Sequence, residues 1–313
     1  MEGKDGHVYL GLVFLIIGLW HLFNHIKNNI TLKSTQSLTW FPTSFSKYLE
    51  HYFIQIGCSI FIFSEMIPHS TFDNNGSILA TRLHNLEHVS ISFSFLFHSL
   101  FAILLDKSRS NKKKSLDNIN ISHFIVSIAF ANQLLLFHFH STDHIGLESQ
   151  YHLLLQQIVI VCLFTTLLSI WVPKSFMVCY IRSLGIFFQG LWLIIMGYML
   201  WTPNFAPKGC SMKRDDYGRK VIMCSDDDGS LNRGKALVNI LFSLVLICVL
   251  VFGVGFYLLV GKVYGVDDVM DDDDDDDDGE EMICQNMEDR KRFLYQKSAD
   301  LEGCYATADA NLI

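Results

Sequence analysis

The chain has 313 residues, of which 50% are hydrophobic and only 18% are charged, and its mean hydropathy is +0.28. A soluble chain of this size does not carry seven separate apolar stretches of about 20 residues, so the composition excludes a pair of soluble domains. The net charge of −8 is concentrated in residues 262–313, which hold 17 acidic and 5 basic residues. The sequence therefore divides into a basic, apolar body and an acidic tail.

The body contains seven apolar stretches, each long enough to cross a hydrocarbon core of about 30 Å as a helix. These stretches cover residues 7–27, 49–67, 82–105, 121–140, 149–171, 177–201 and 235–261. The first is too long for a signal peptide and has no small-residue cleavage site, which predicts a retained helix. The sequence thus predicts an all-α fold: a polytopic membrane bundle of seven transmembrane helices over residues 1–261. Residues 262–313, with the aspartate run Asp271–Asp278, are expected to form a disordered acidic C-terminal tail.

Basic residues in the short loops predict the orientation of the bundle. The loop after the third span carries five basic residues between Lys107 and Lys114, whereas residues 141–147 carry none. The loop 202–234 carries six basic residues although it falls on the predicted outer side, which disagrees with this orientation. The same loop contains Cys210 and Cys224, a pair that could form a disulfide bond in an oxidising compartment and so supports it. We expect an integral protein of an endomembrane or the plasma membrane, with a luminal or extracellular N-terminus and a cytosolic C-terminus.

Thirteen histidines are the main chemical signal in the sequence, and most of them fall toward the predicted outer leaflet. His84 and His88 are four residues apart and share one helix face. His138 and His140 are two residues apart and point about 200° apart on a helix, so at most one of them serves a shared site there. The candidate metal ligands are His84, His88, His138, His140, His144, Glu148 and His152. Glu87 and Glu148 would be ligands or would orient the imidazole rings.

Three alternative interpretations of this histidine cluster remain open: metal or haem binding, proton transfer, and helix packing. Imidazole and carboxylate groups bind zinc or copper, and paired imidazoles also bind haem iron. Histidines titrate near neutral pH and pass protons. In the third interpretation, the histidines form hydrogen bonds between helices that stabilise helix packing and have no other role. A second set near the cytosolic side, His21, His25 and His51, would suit a second haem in a path for electrons across the bilayer.

Several stretches together resemble the plant branch of the transmembrane protein 45 family. They are GLVFLIIGLWH at Gly11–His21, HNLEHVS at His84–Ser90, LFHFHSTDHIGLESQYHLLLQ at Leu136–Gln156, and RSLGIFFQGLWLIIMGYMLW at Arg182–Trp201. The resemblance covers roughly residues 1–261 and implies an integral membrane protein of seven helices. Plant relatives are often labelled viral-response proteins, but the family has no settled biochemical activity, so the resemblance implies no reaction.

The sequence contains nothing that resembles a phosphate-binding glycine loop or a serine nucleophile elbow, and it assigns no enzymatic activity. The leading hypothesis is a membrane protein whose outer-leaflet histidine and glutamate cluster binds a metal ion or haem. The competing hypothesis is a non-enzymatic membrane protein that acts through partners in trafficking or in stress or viral responses. The expected partners are the lipid bilayer and proteins that bind the acidic tail. Nucleic acid is not expected, because the basic cluster Lys107–Lys114 beside a helix end suits anionic lipid.

Overall fold

The structure is a computed structural model, and it describes residues 3–31, 48–66, 80–108, 112–143, 146–173, 175–214, 220–225 and 228–264. Most of the predicted acidic tail, including the aspartate run Asp271–Asp278, lies outside the described residues. The disorder predicted for this tail therefore stays a prediction. The residues that are described consist almost entirely of helices.

Seven α-helices follow one another along the described residues, as predicted. They are α1 (Lys4–Thr31), α2 (Leu49–Met66), α3 (Ala80–Lys107), α4 (Lys112–Asp143), α5 (Leu147–Trp171), α6 (Phe176–Trp201) and α7 (Asp228–Tyr264). A short 3₁₀ turn (Pro203–Phe205) and an antiparallel hairpin of β1 (Cys210–Arg214) and β2 (Lys220–Cys224) connect α6 to α7. The predicted fold class, an all-α membrane bundle of seven helices, is confirmed.

Six of the seven described helices are long and apolar enough to cross a membrane, and α2 is the one that is not among them. Helix α2 has 18 residues, and the polar side chains that lower its hydropathy, among them Glu50, His51 and Glu65, are buried. Its exposed surface is apolar, with Ile56 and Phe63 facing outward. Because its polar groups face the protein interior, α2 presents a surface that lipid can solvate, like that of its neighbours.

The centre of the bundle is the contact between α1 and α6. A Cβ atom at Gly18 would overlap the backbone of Phe187, and one at Gly190 would overlap the backbone of Leu15. Small residues at such positions allow two helices to approach closely, which is the usual means of helix association in lipid, where van der Waals packing replaces the hydrophobic effect. Trp192 and Met196 on α6 are also completely buried.

Helices α1, α3, α5 and α7 begin at the end of the bundle that carries the β-hairpin. Ile222 on β2 is buried in the core, and its carbonyl oxygen lies beside Gly146 at the start of α5. The ring of Trp201, at the end of α6, packs 4.7 Å from the ring of His7 near the start of α1. We call this the hairpin end, and we call the opposite end the far end. The hairpin end corresponds to the predicted outer leaflet.

Candidate functional site

Three histidine rings converge at the hairpin end, and we call His7, His88 and His152 the hairpin-end cluster. The ring of His7 on α1 lies 6.4 Å from that of His88 on α3 and 6.0 Å from that of His152 on α5, measured between centroids. His152 is only 1% exposed. Two of the predicted ligands, His88 and His152, therefore each lie close to the ring of His7, which the candidate ligand set did not include.

Two of these rings have defined hydrogen bonds. Nδ1 of His7 donates to the carbonyl oxygen of Gly3 at 2.9 Å, and Nδ1 of His152 donates to the carbonyl oxygen of Glu148 at 2.9 Å. Because a carbonyl oxygen only accepts hydrogen bonds, each ring carries a proton on Nδ1, and in the neutral form of the ring the lone pair is then on Nε2. Imidazoles that bind metal ions are commonly oriented by such a hydrogen bond from the second ring nitrogen.

The other predicted ligands differ in position. His138 lies on the exposed surface of α4, with its ring 6.0 Å from that of Phe139. His84 and His140 belong to α3 and α4, but their side chains are not among those described, and His144 lies outside the described residues. Among the described side chains, no group of three or more His, Cys, Asp or Glu residues is arranged to hold a metal ion.

The predicted cysteine pair lies in the hairpin. Cys210 and Cys224 are opposite each other in the register of β1 and β2, and their sulfur atoms are joined in a disulfide bond. The amide nitrogen of Ser225, directly after β2, donates to the carbonyl oxygen of Gly209, directly before β1, at 2.9 Å. The disulfide thus closes the base of the hairpin at the start of α7.

A second and more completely buried polar group occupies the far end. We call it the far-end cluster, and each of its residues is at most 9% exposed. Its members are His21 and His25 on α1, Glu50 and His51 on α2, His98 on α3, His123 on α4 and Arg182 on α6. Five helices supply these side chains, so the cluster depends on the packing of most of the bundle.

The strongest contact of the far-end cluster joins α1 to α2. Nε2 of His21 lies 2.6 Å from Oε1 of Glu50, with both side chains buried. The ring of His25 lies 6.0 Å from that of His21, and the ring of His51 lies 5.8 Å from that of His98. Within the described residues, Nδ1 of His98 has no hydrogen-bond partner although it is buried. The cluster is therefore a set of imidazoles arranged around one carboxylate.

Arg182 supplies the permanent positive charge of the far-end cluster. Its guanidinium donates to the hydroxyl oxygen of Ser169 on α5 at 3.0 Å and lies 3.5 Å from Nδ1 of His123 on α4. The other terminal nitrogen lies 3.9 Å from the sulfur atom of Cys179. Arg182 is only 1% exposed. A guanidinium in such a position is expensive in lipid and is found where it faces the interior of a bundle.

Sequence reasoning identified His21, His25 and His51 as a set but missed His98, His123 and Arg182. The signal for Arg182 was present, because it is an ionisable residue inside an otherwise apolar span. His98 and His123 gave no comparable signal. Their positions along α3 and α4 match the depth of the cluster only when the tilt and rotation of the helices are known.

The seven helices and the six apolar spans among them define the class of this protein, a multi-pass integral membrane protein. Over residues 119–258, from α4 to α7, the chain is similar to a family of unknown function (DUF716), the family of membrane proteins like transmembrane protein 45. The matched region contains His123, His152, Arg182 and the disulfide pair. No curated protein matches the chain.

Proposed function

We propose that this protein binds a transition-metal ion at the hairpin end of its transmembrane bundle. The observation that carries the proposal is the convergence of His7, His88 and His152 from three different helices. In two of the three rings, Nδ1 donates a hydrogen bond to a backbone carbonyl oxygen, so that the neutral ring has its lone pair on Nε2. Neutral imidazoles with this proton arrangement are the form that binds zinc or copper.

The ring separations suit ligands that approach a common ion. Two imidazoles bound to one ion through bonds of about 2.1 Å have ring centroids roughly 5 to 6 Å apart. The observed separation of 6.0 Å lies at the upper end of this range, and that of 6.4 Å lies slightly above it. The aromatic rings of Trp201 and Phe137, which pack against His7 and His152, limit the access of water to this position.

Further ligands would come from the residues that the sequence places beside these three. His84 precedes His88 by one helical turn on α3, and Glu148 lies in the first turn of α5. His140 and His144 are additional candidates at the junction of α4 and α5. Zinc and copper both suit a set of imidazole and carboxylate ligands. Haem iron would instead require two imidazoles on opposite faces of a porphyrin.

The test is metal analysis together with an absorbance spectrum of the full chain purified in detergent. We expect about one zinc or copper ion per chain, and we expect a double variant, His7→Gln with His152→Gln, to lose it while the protein still inserts and folds. The matched control is His138→Gln, because His138 is exposed on α4. A Soret band lost in the double variant would identify haem as the cofactor. A folded wild-type chain without metal or haem, or metal retained in the double variant, would contradict the proposal.

Two features support the proposed topology, with the hairpin end luminal or extracellular. The disulfide between Cys210 and Cys224 belongs in an oxidising compartment. The basic residues between Lys107 and Lys114 connect α3 to α4 at the far end, as the positive-inside rule requires of a cytosolic loop. Glycosylation mapping tests this orientation. Modification at the sequon Asn75-Gly76-Ser77 is expected, whereas modification at Asn29 would invert the bundle.

A second candidate function does not involve a metal. The resemblance to the plant branch of the transmembrane protein 45 family supports a non-enzymatic role in trafficking or in stress or viral responses. The net charge of −12 in residues 262–313 favours protein partners with basic surfaces. Removal of this tail separates the two functions, because it would abolish binding of such partners and leave the metal content unchanged.

A further inference from the structure

We propose that the far-end cluster is a proton-binding site, in which a proton taken up from the far end is held on His21 by the carboxylate of Glu50. This site is separate from the proposed metal site, since it lies at the other end of the bundle and shares no residue with it. The inference therefore stands or fails independently of metal binding.

The charges of the far-end cluster determine whether it can take up an additional proton. Arg182 is permanently positive, and Glu50 supplies one compensating negative charge. With their five imidazoles neutral, the seven residues of the cluster have no net charge, and the carboxyl group of Asp106, which interacts electrostatically with His51, lies next to them. In this state the N–H group at Nε2 of His21 donates a hydrogen bond to Oε1 of Glu50 across 2.6 Å. The pair is then ready to stabilise an additional proton.

Proton uptake changes a single pair of bonds. One N–H bond forms at Nδ1 of His21, and one O–H bond breaks in the hydronium ion that delivers the proton, which leaves a water molecule. His21 becomes an imidazolium ion in direct hydrogen bond with the Glu50 carboxylate. Such charge-assisted hydrogen bonds are about twice as strong as neutral ones. The carboxylate thereby offsets the cost of a second positive charge near Arg182.

The other titratable groups in the cluster and next to it come from five helices, α1, α2, α3, α4 and α6. On α1 and α2 they are His25 and His51; on α3 they are His98 and Asp106; on α4 and α6 they are His123, Cys179 and Arg182. His98 lies close enough to His51, His123, His21 and Arg182 to interact electrostatically with all four. His98 thus links the imidazole rings of α1, α2 and α4 to one another around the pair of His21 and Glu50.

A polar connection leads from the cluster toward the surface of the far end. The hydroxyl group of Tyr48, which precedes α2, donates to Oδ2 of Asp106 near the end of α3 at 2.7 Å. Asp106 interacts electrostatically with His51, whose ring is 5.8 Å from that of His98. Nδ1 of His98 is buried and has no hydrogen-bond partner in the described part of the chain, as expected of a nitrogen that exchanges a proton with water or with a neighbouring ring.

The same features disfavour a metal ion at the far end. A divalent cation would add two charges beside the guanidinium of Arg182, whereas a proton adds one. In addition, His21 already uses Nε2 in its contact with Glu50.

The experiment is ¹⁵N NMR of histidine-labelled full-length protein in nanodiscs, recorded over a pH titration. The signal of His21 is assigned as the one missing in His21→Gln. We expect it to change from the neutral to the imidazolium form as the pH falls, while the protein remains folded. In Glu50→Gln, which keeps a hydrogen-bond acceptor but removes the charge, the affinity of His21 for the proton should decrease by about tenfold or more.

The matched control is Glu65→Gln, because Glu65 is a buried carboxylate on the same helix at the hairpin end. It should leave the titration of His21 unchanged, as should the His7→Gln and His152→Gln double variant. A His21 ring that stays neutral until the protein unfolds would overturn the proposal, and so would equal effects of Glu50→Gln and Glu65→Gln. If Glu50→Gln does not fold, the wild-type titration decides alone, since an imidazolium signal at His21 is required.

Discussion

Gly18 on α1 lies directly against Phe187 on α6, so that a Cβ atom at Gly18 would overlap the amide nitrogen and the Cα atom of Phe187. The contact is between the main chains of two helices, and it recurs along the same seam where Gly190 meets Leu15. Close approach at this seam fixes the position of α1 relative to α6. It thereby places His7 beside Trp201 at the hairpin end and His25 near Arg182 at the far end.

The variant Gly18→Ala should therefore destabilise the bundle. The added methyl group forces the backbones of α1 and α6 apart, and overpacking of this kind costs about 1–3 kcal/mol. The control is Gly255→Ala on α7, where an added Cβ atom would meet no atom within 4 Å. Thermal unfolding in detergent, followed by circular dichroism, should show a lower midpoint for Gly18→Ala and little change for Gly255→Ala. Equal stability of the two variants would contradict the proposed role of this seam.

The tryptophan at the centre of α6 gives a second prediction. The indole N–H of Trp192 donates to the carbonyl oxygen of Tyr151 on α5 at 3.1 Å, and the side chain is completely buried. Trp192→Phe removes this hydrogen bond and part of the packing against Phe242. We expect a loss of at least about 1 kcal/mol in the free energy of unfolding. Trp171→Phe is the control, because Trp171 is largely exposed, and it should have a much smaller effect.

The disulfide bond gives a third prediction. Cys210 and Cys224 are separated by 14 residues, and cross-linking a loop of this length stabilises a fold by about 3 kcal/mol in the chain-entropy description. A reducing agent should therefore lower the unfolding temperature of the wild-type chain but not that of the Cys210→Ser and Cys224→Ser double variant. Cys248→Ser, which removes an exposed free cysteine, should keep the sensitivity of the wild type. Sensitivity that persists in the double variant would show that reduction acts elsewhere.

The contact between Ser169 and Arg182 gives a fourth prediction. Ser169→Ala removes the hydroxyl acceptor that lies 3.0 Å from the guanidinium, and hydrogen bonds to charged groups contribute about 1.5–3 kcal/mol. Ser127→Ala is matched in size and burial, but its hydroxyl donates only within its own helix, to Phe124. Chemical denaturation of the two variants should show a clear loss for Ser169→Ala and a small one for Ser127→Ala. Similar losses would indicate that the Arg182 contact contributes no specific stabilisation.

Hydropathy predicted the number and the approximate position of the helices. The predicted spans 149–171 and 177–201 agree with α5 and α6 to within two residues. In contrast, α7 begins at Asp228, seven residues before the predicted span, and α4 begins at Lys112, nine residues before it. Hydropathy detects the apolar part of a helix, whereas backbone hydrogen bonds continue the helix into polar residues beyond the bilayer.

The candidate sites could be predicted from the sequence only in part. Residue spacing places His84 and His88 on one face of α3, but it contains no information on which neighbour that face meets. His138 and His152 were both candidates by sequence, with at most one of His138 and His140 expected at a shared site, yet His138 lies on the exposed surface of α4, while His152 is buried beside His7. Each helix can rotate about its axis without any change in its periodicity, and only packing against the other helices decides the rotation.

The sequence by itself determined that the chain is an integral membrane protein with seven helices, because the length and apolarity of a span are local properties that a bilayer selects directly. The tertiary structure alone decided that five histidines, Glu50 and Arg182 share one buried site at the far end. Those side chains come from helices that are distant in sequence, and their convergence depends on contacts such as that of Gly18 with Phe187. Such contacts depend on complementary shapes between helices, which no single span encodes.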